Sequence, residues 1–205
     1  MLRQKKNISA KKFFVNYVNK LSRILKDKHF NEIERISVHL EKVIKSNKNI
    51  FVCGNGGSAS ISNHFLCDFN KGIKLSSKNK LLPKVMSLSN SIELISAISN
   101  DLGYDQVFEN QLENFSKIGD TLIVISCSGK SKNILRAVKF ATKKKLSIIS
   151  LIGFGSSSYI KNYSKYYINL NTKNYGITED VFQSIMHMIS QYLRHKNSKI
   201  PSEIL

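Results

Sequence analysis

Residues 50–58 read Ile-Phe-Val-Cys-Gly-Asn-Gly-Gly-Ser, a short apolar run followed directly by a glycine-rich polar turn. Residues 121–131, Thr-Leu-Ile-Val-Ile-Ser-Cys-Ser-Gly-Lys-Ser, show the same arrangement with a serine-rich turn. Apolar runs without polar alternation are typical of strands that are covered on both faces of a sheet. A helical pattern follows each turn, and strand, tight turn and helix in succession indicate right-handed crossovers between parallel strands. The two stretches therefore predict an α/β fold.

The rest of the chain extends this pattern into a doubly wound, mostly parallel sheet of five strands flanked by helices. Further strands are predicted at 85–88, 146–152 and 166–170. Apolar residues at helical spacing predict the intervening and closing helices, whereas the Lys- and Ser-rich stretch 71–83 predicts a loop. The predicted helices cover approximately residues 58–70, 91–98, 104–115, 131–144 and 178–195.

The N-terminal region differs from the alternating core. Residues 11–47 carry apolar side chains at helical spacing with a break near Asp27–His29, which predicts two amphipathic helices. We expect one domain over residues 1–205, with an N-terminal helical pair in 1–47 and the α/β core in 48–205. The helical pair is expected to pack on the core or against a partner subunit.

Composition limits the function classes. The 205 residues include 32 Lys and Arg against 14 Asp and Glu, a formal charge of +18, and the basic residues are scattered along the chain. A solvated basic surface or a field that steers anionic ligands explains this charge, and no segment has a specific nucleic-acid-binding pattern. The chain has no apolar run of the roughly 20 residues that a membrane span needs, no signal-like start, and three cysteines, which are too few for a disulfide framework. We expect a cytoplasmic globular protein.

The first glycine-rich turn is a candidate anion site. It contains Asn55, Gly56, Gly57 and Ser58, where a predicted strand ends and a helix begins. Glycines allow the backbone to approach a ligand, and a helix N-terminus offers free N–H groups to an anion. The spacing matches neither a Walker A loop nor a dinucleotide-binding loop. An ordinary strand-to-helix turn with a serine cap explains this motif equally well.

The second turn is the stronger candidate. Ser126, Ser128 and Ser131 flank Cys127 in one short turn before a helix. Hydroxyl groups so placed can donate several hydrogen bonds to the oxygens of a phosphate. Helix capping and turn composition account for one or two serines but not for three in this arrangement. Because ligands bind at the carboxyl ends of parallel strands, the two turns together predict a phosphate site.

These motifs resemble those of the phosphoheptose isomerases, a family with the sugar isomerase (SIS) fold. The resemblance covers essentially the whole chain, and it implies a homotetramer that converts sedoheptulose 7-phosphate to D-glycero-D-manno-heptose 7-phosphate, often with zinc. That reaction begins heptose synthesis for lipopolysaccharide or surface polysaccharide. The motifs that carry the resemblance are Val52–Ala59, His64, Ser99–Asn100–Asp101, Gly103–Tyr104, Gly119–Asp120 and Ser126–Ser131.

The resemblance also implies roles for titratable residues. His64 and Asp68 lie four apart and therefore face the same side of the helix after the first turn. Glu179 and His187 lie on the last helix. The family's zinc ligands correspond to His64, Asp68, Glu179 and His187, with Asp68 and His187 as the proton-transferring pair and Glu179 also contacting substrate. Asn100 and Asp101 are predicted to accept hydrogen bonds from sugar hydroxyls.

Four positions depart from the family pattern. Asp68 replaces a glutamate, Glu179 a glutamine, Phe182 a histidine and Gly72 an arginine, whose charge Lys71 or Lys74 could replace. Glu179 and His187 are separated by about 12 Å along a regular helix, which makes a shared metal ion difficult. Helix-dipole stabilisation of the first turn is a rival explanation for Glu179. We predict an aldose–ketose isomerase; the alternative is a non-catalytic SIS protein that binds sugar phosphates as a regulator of the replication-initiation type.

Overall fold

A computed structural model describes residues 8–25, 29–154 and 158–198 of the chain. Its centre is a five-stranded sheet with the order β2-β1-β3-β4-β5, and every strand pair is parallel. The predicted α/β class and doubly wound sheet are thereby confirmed. The strands are β1 (Asn49–Cys53), β2 (Lys84–Ser87), β3 (Thr121–Ser126), β4 (Ser147–Ile152) and β5 (Tyr166–Asn169).

The strand order places a topological switch beside β1. Its neighbours are β2 on one side and β3 on the other, with Cys53 of β1 paired to Val124 of β3. The chain leaves β1 and β3 in opposite directions across the sheet, which opens a crevice at their carboxyl ends. Both polar turns of the sequence lie at this crevice.

Helices cover both faces of the sheet, because successive strand residues point to opposite sides. Ile123 and Ile125 of β3 face one apolar cluster, whereas Leu122 and Val124 face the other. The helices are α1 (Ala10–Ile24), α2 (Phe30–Lys45), α3 (Gly57–Cys67), α4 (Lys74–Ser76), α5 (Ile92–Asp101), α6 (Val107–Phe115), α7 (Lys132–Lys143), α8 (Ser158–Tyr163) and α9 (Tyr175–Asn197). The first cluster includes residues of α2, α3 and α9, and the second includes residues of α5, α6, α7 and α8.

The main difference from the sequence prediction follows α3. A π-helix over Asp68–Ile73 and the short α4 continue the helical path to Ser76, so the predicted loop over 71–83 begins too early. Phe65, Phe69 and Ile73 are all fully buried at a spacing of four residues. This apolar stripe stabilises the continuation, and the Asn-Lys-Gly segment at residues 70–72, between Phe69 and Ile73, concealed it in the sequence.

The N-terminal helical pair is present, since α1 ends at Ile24 and α2 begins at Phe30; of the break predicted near Asp27–His29, residues 27 and 28 lie outside the described residues. The inner side of α1 packs on the core through Tyr17, Leu21 and Ile24. Other members of the same apolar stripe are open, with Phe14 64% and Val18 60% exposed. The isolated chain therefore leaves part of the apolar side of α1 uncovered. Across the described residues, the helices are too short or too polar to cross a membrane.

Candidate active site

The two turns meet in one cavity of about 320 Å³ at the carboxyl ends of β1 and β3. Both predicted turns contribute to its wall, and α9 adds Tyr175 and Glu179. The residues predicted to bind phosphate are thus brought together by the fold. The lining consists of Asn55, Gly56, Gly57, Ser58, Ile125, Ser126, Cys127, Ser128, Ser131, Tyr175 and Glu179.

Two glycines make this cavity possible. Gly56, which precedes α3, has a φ of 56°, a backbone conformation that favours glycine. A β-carbon added at Gly57 would overlap the carboxyl group of Glu179. The first turn of α3 and the side chain of Glu179 can therefore approach only because residue 57 has no side chain.

The serine hydroxyls are oriented by backbone N–H groups. The Ser126 hydroxyl oxygen accepts a hydrogen bond from the Gly129 N–H (3.0 Å), and that of Ser128 accepts one from the Lys130 N–H (3.3 Å). Each of these hydroxyl groups keeps its own hydrogen available to donate. Ser131 precedes α7, and its hydroxyl makes no capping hydrogen bond to that helix. This turn presents donors, as a phosphate requires.

Asn55 is fixed by partners that the sequence analysis did not identify. Its amide exchanges hydrogen bonds with that of Asn133 (2.9 and 3.0 Å), and its Oδ1 also accepts one from the Tyr104 hydroxyl (2.8 Å). Tyr104 and Asn133 line a second cavity, of about 510 Å³, which shares Asn55 and Ser131 with the first. Tyr104 belongs to the Gly103–Tyr104 motif, which was the one feature of the sequence that pointed to a partner of Asn55.

Cys127 and Glu179 form an unusual pair inside the cavity. The Cys127 Sγ lies 3.9 Å from a Glu179 carboxylate oxygen. Burial and then the charge of Glu179 raise the pKa of the Cys127 thiol to about 11, although a hydrogen bond with Ser58 acts in the opposite direction. The thiol is therefore protonated near neutral pH and can donate to the carboxylate.

A second group of polar side chains lies further along α3 and α9. Ligand atoms of His64, Asp68 and His187 all lie within 4.8 Å of one another. The two Nε2 atoms are 3.1 Å apart, and the Asp68 oxygens lie 3.5 Å from His64 Nε2 and 3.6 Å from His187 Nε2. A tetrahedral zinc ion with ligands at about 2.0–2.1 Å would hold its ligand atoms about 3.3–3.4 Å apart. The three groups thus fit such an ion in both chemistry and spacing.

Glu179 does not join this group. Its carboxylate lies in the cavity with Cys127, because Glu179 precedes His187 by eight positions, about two helical turns of α9. Gln183, one turn before His187, is there instead, with its Nε2 2.9 Å from His187 Nε2. The structure therefore favours a group of His64, Asp68 and His187 with Gln183 beside it, rather than the four-residue set that includes Glu179.

The structure also places the remaining residues that the sequence analysis singled out. Asn100 and Asp101 end α5 on the surface, bonded to each other (2.8 Å) rather than lining the cavity, because their helix exposes its C-terminal turn. Phe182 is fully buried in the core. The side chain of Arg194, from α9, lies beside Gly72 and donates to Ser76 Oγ (3.0 Å), so a cation from another helix is present where the family pattern has arginine.

Comparison with known proteins identifies the class of fold. A model of the SIS domain matches residues 13–153. Two solved phosphoheptose isomerases have the same fold. The protein from Neisseria gonorrhoeae has a TM-score of 0.77 at 23% identity, covering 88% of this chain and 94% of that one. The protein from Francisella tularensis has a TM-score of 0.78 at 22% identity, covering 91% and 98%. The domain match and these two structures show that the chain has the SIS fold.

Sequence relatives narrow the class. The phosphoheptose isomerase of Buchnera aphidicola is 36% identical over 159 residues, which is 75% of this chain and 80% of that protein. That of Mycobacterium bovis is 30% identical over 188 residues, 91% of this chain and 94% of the relative. The chain belongs to the phosphoheptose isomerase family of SIS domain proteins.

Proposed function

We propose that this protein is an aldose–ketose isomerase that converts sedoheptulose 7-phosphate to D-glycero-D-manno-heptose 7-phosphate, the first step of heptose synthesis for lipopolysaccharide or surface polysaccharide. The observation that carries the proposal is that α3 and α9 each contribute to both sites. Gly57 and Glu179 line the cavity, and further along the same helices His64, Asp68 and His187 form the polar group. A substrate with a phosphate at one end and a carbonyl near the other can contact both.

The cavity is proposed to hold the phosphate. Ser126, Ser128 and Ser131 supply hydroxyl donors, and the N-terminus of α3 adds the partial positive charge of the helix dipole. Asn55 and Ser58 lie on the opposite side of the cavity, where they can bind the adjacent hydroxyls. These groups are neutral, so the phosphate is bound by directional hydrogen bonds rather than by ion pairs.

The polar group is proposed to move the proton. Isomerisation removes a proton from one carbon and returns it to its neighbour through a cis-enediol, which needs a base and an acid on one side of the substrate. The Asp68 carboxylate and the His187 imidazole lie together at 3.6 Å and can share this task. His64, in the last turn of α3 and one turn before Asp68, completes the group.

Zinc is the proposed cofactor, held by His64, Asp68 and His187. Two imidazoles and a carboxylate at the observed separations are the donor set of a catalytic zinc site with an open position. The ion would polarise the substrate oxygens and stabilise negative charge on them during the reaction. Gln183 places its amide Nε2 beside His187 Nε2, and a half-turn of this amide would offer its oxygen to the ion.

We also propose a homotetramer in the cytoplasm. A second copy of the chain is the natural cover for the exposed apolar side of α1, since such a face is unfavourable in water. The three cysteines are free, as is usual in a reducing compartment, and the phosphorylated substrate is membrane-impermeant.

The test is a turnover assay with the purified full chain and added zinc. Sedoheptulose 7-phosphate in deuterated water should give the aldose product with deuterium at carbon 2, detected by NMR. The isosteric variant Asp68→Asn should retain sugar-phosphate binding and lose turnover. Binding of the sugar phosphate by the native chain with no turnover would refute the isomerase and support the regulator.

A further inference from the structure

Ser190 is a buried hydroxyl in contact with the proposed proton-transfer group. It lies on α9 one turn after His187, is 1% exposed, and its Oγ lies 3.2 Å from Asp68 Oδ2. This carboxylate oxygen is the one that faces His187 at 3.6 Å, while Oδ1 faces His64 at 3.5 Å. The hydroxyl thus contacts the same Asp68 oxygen that His187 faces.

The hydroxyl hydrogen has two possible acceptors. Besides Asp68 Oδ2, the backbone carbonyl of His187 lies 3.1 Å from Ser190 Oγ. A carboxylate accepts a stronger, charge-assisted hydrogen bond than a helix carbonyl does. In addition, the His187 carbonyl lies on the same continuous helix as Ser190. Asp68 lies on a different helix, so the hydrogen bond from Ser190 joins the two helices.

The geometry around Asp68 explains why such a donor matters here. Asp68 begins the π-helix, where the backbone widens, and its side chain is one methylene shorter than the glutamate of the family pattern. A short carboxylate has few rotamers that place its two oxygens toward two different histidines. An external hydrogen bond to one oxygen selects among those rotamers.

We propose that Ser190 is a positioning residue that holds the Asp68 carboxylate between His64 and His187. The inference rests on the proposed function, which gives Asp68 its role in proton transfer. The contact between Ser190 and Asp68 is present without substrate. Partners that orient ligand groups typically change metal affinity or activity by about 10–100-fold when they are removed.

The test compares Ser190→Ala with Ser184→Ala. Ser184 lies on the same helix and donates to the Asp180 carbonyl (2.8 Å), so its loss removes a helix hydroxyl without contacting Asp68. Ser190→Ala should lower kcat about 10–100-fold with little change in KM, and should weaken zinc binding by a similar factor in competition with a chromophoric chelator. Ser184→Ala should leave kcat, KM and zinc affinity within about twofold of the native values, as expected of a surface substitution.

Two further variants separate positioning from folding. Ser190→Thr keeps a hydroxyl and should restore kcat and zinc affinity toward native values, whereas Ser190→Val has nearly the shape of threonine without the hydroxyl and should behave like Ser190→Ala. A Ser190→Ala or Ser190→Val protein with native kcat and zinc affinity, whatever its thermal stability, would overturn the inference. If the native chain binds zinc but never turns over substrate, weaker zinc binding in Ser190→Ala supports the positioning role while the proposed reaction fails.

Discussion

Glu179 places a carboxylate in a cavity that we propose to bind a phosphate. The side chain lies against Gly57 at the N-terminus of α3, where an anion is favoured by the helix dipole. In the isolated chain, Glu179 therefore occupies part of the region that a phosphate would use. Its charge opposes phosphate binding, and the neutral glutamine of the family pattern would not.

Substitution of Glu179 tests this conflict. Glu179→Gln should tighten the binding of inorganic phosphate by about tenfold, because like charges a few ångströms apart repel in a partly desolvated site. Isothermal titration calorimetry measures the change. Asp180→Asn is the matched control, since Asp180 is the adjacent acid but accepts a hydrogen bond from the Tyr17 hydroxyl (2.5 Å) and is not among the residues lining the cavity. Unchanged or weaker phosphate binding in Glu179→Gln would show that the carboxylate does not oppose the anion.

Cys127 reports on the same cavity through its pH dependence. Since the pKa of its thiol is raised to about 11, the reactive thiolate is scarce at neutral pH and increases about tenfold per pH unit below that value. Alkylation of Cys127 by iodoacetamide should therefore accelerate about tenfold per unit between roughly pH 8 and pH 10. Peptide mass spectrometry resolves it from Cys67, which is exposed, and from Cys53, which is buried.

Inorganic phosphate provides the control for this labelling. It should slow the alkylation of Cys127 and leave that of Cys67 unchanged. Protection of both cysteines, or of neither, would argue against a phosphate in this cavity.

At the scale of elements, Asp120 joins β1 to β3, the two strands whose ends form the cavity. Its buried carboxylate accepts hydrogen bonds from the Asn49 N–H (2.9 Å), the Asn49 side-chain amide (3.1 Å) and the Lys117 N–H (2.8 Å). It fixes the start of β1 against the turn that leads into β3. The register of these strands, and thus the alignment of the two polar turns, depends on this connection.

Asp120→Ala should lower the free energy of unfolding by about 2–4 kcal/mol, because two backbone N–H groups lose their charged acceptor. Urea denaturation measures the change. Asp105→Ala is the control: Asp105 pairs with Arg136 at 3.0 Å in a partly exposed ion pair, which should contribute no more than about 1 kcal/mol. Equal losses in the two variants would contradict the role of Asp120.

The elements also show how much the sequence can predict. The strands and the two turns were predictable because their signals are local: apolar runs that end at glycine or serine. The helical path through Gly72 was missed because Phe69 and Ile73 are separated by polar residues. Tyr104 and Asn133 contact Asn55 from 49 and 78 residues away, and no local pattern reveals such a contact. The place of Glu179, in the cavity with Cys127 rather than beside His187, could not be predicted because the family pattern gives positions and not side-chain directions.

At the scale of the whole molecule, the basic residues that give the net charge of +18 are not the residues to which we assign substrate binding and proton transfer. Among the described residues, those that line the phosphate cavity include neither Lys nor Arg. The positive charge can therefore act at long range on an anionic substrate without taking part in its final hydrogen bonds.

Salt should separate these two contributions. We expect kcat/KM to fall by up to about tenfold between low salt and about 0.5 M sodium chloride, because screening weakens the attraction of the substrate. The value of kcat at saturating substrate should remain nearly constant. Initial-rate measurements over a range of substrate concentrations give both quantities, and a parallel fall of kcat would assign the salt effect to the chemistry or to folding.

The path of α3 and α9 from the cavity to the polar group has a consequence for substrate length. Ser58 and His64 are about 9 Å apart along their helix, and Glu179 and His187 about 12 Å along theirs, distances fixed by the helical rise. Helices do not shorten to follow a smaller ligand. Pentose and hexose phosphates should therefore occupy the phosphate cavity as competitive inhibitors, while their carbonyl carbons fall short of Asp68 and His187. Discrimination among sugar phosphates would then depend on the spacing of two rigid helices rather than on contacts to any one hydroxyl.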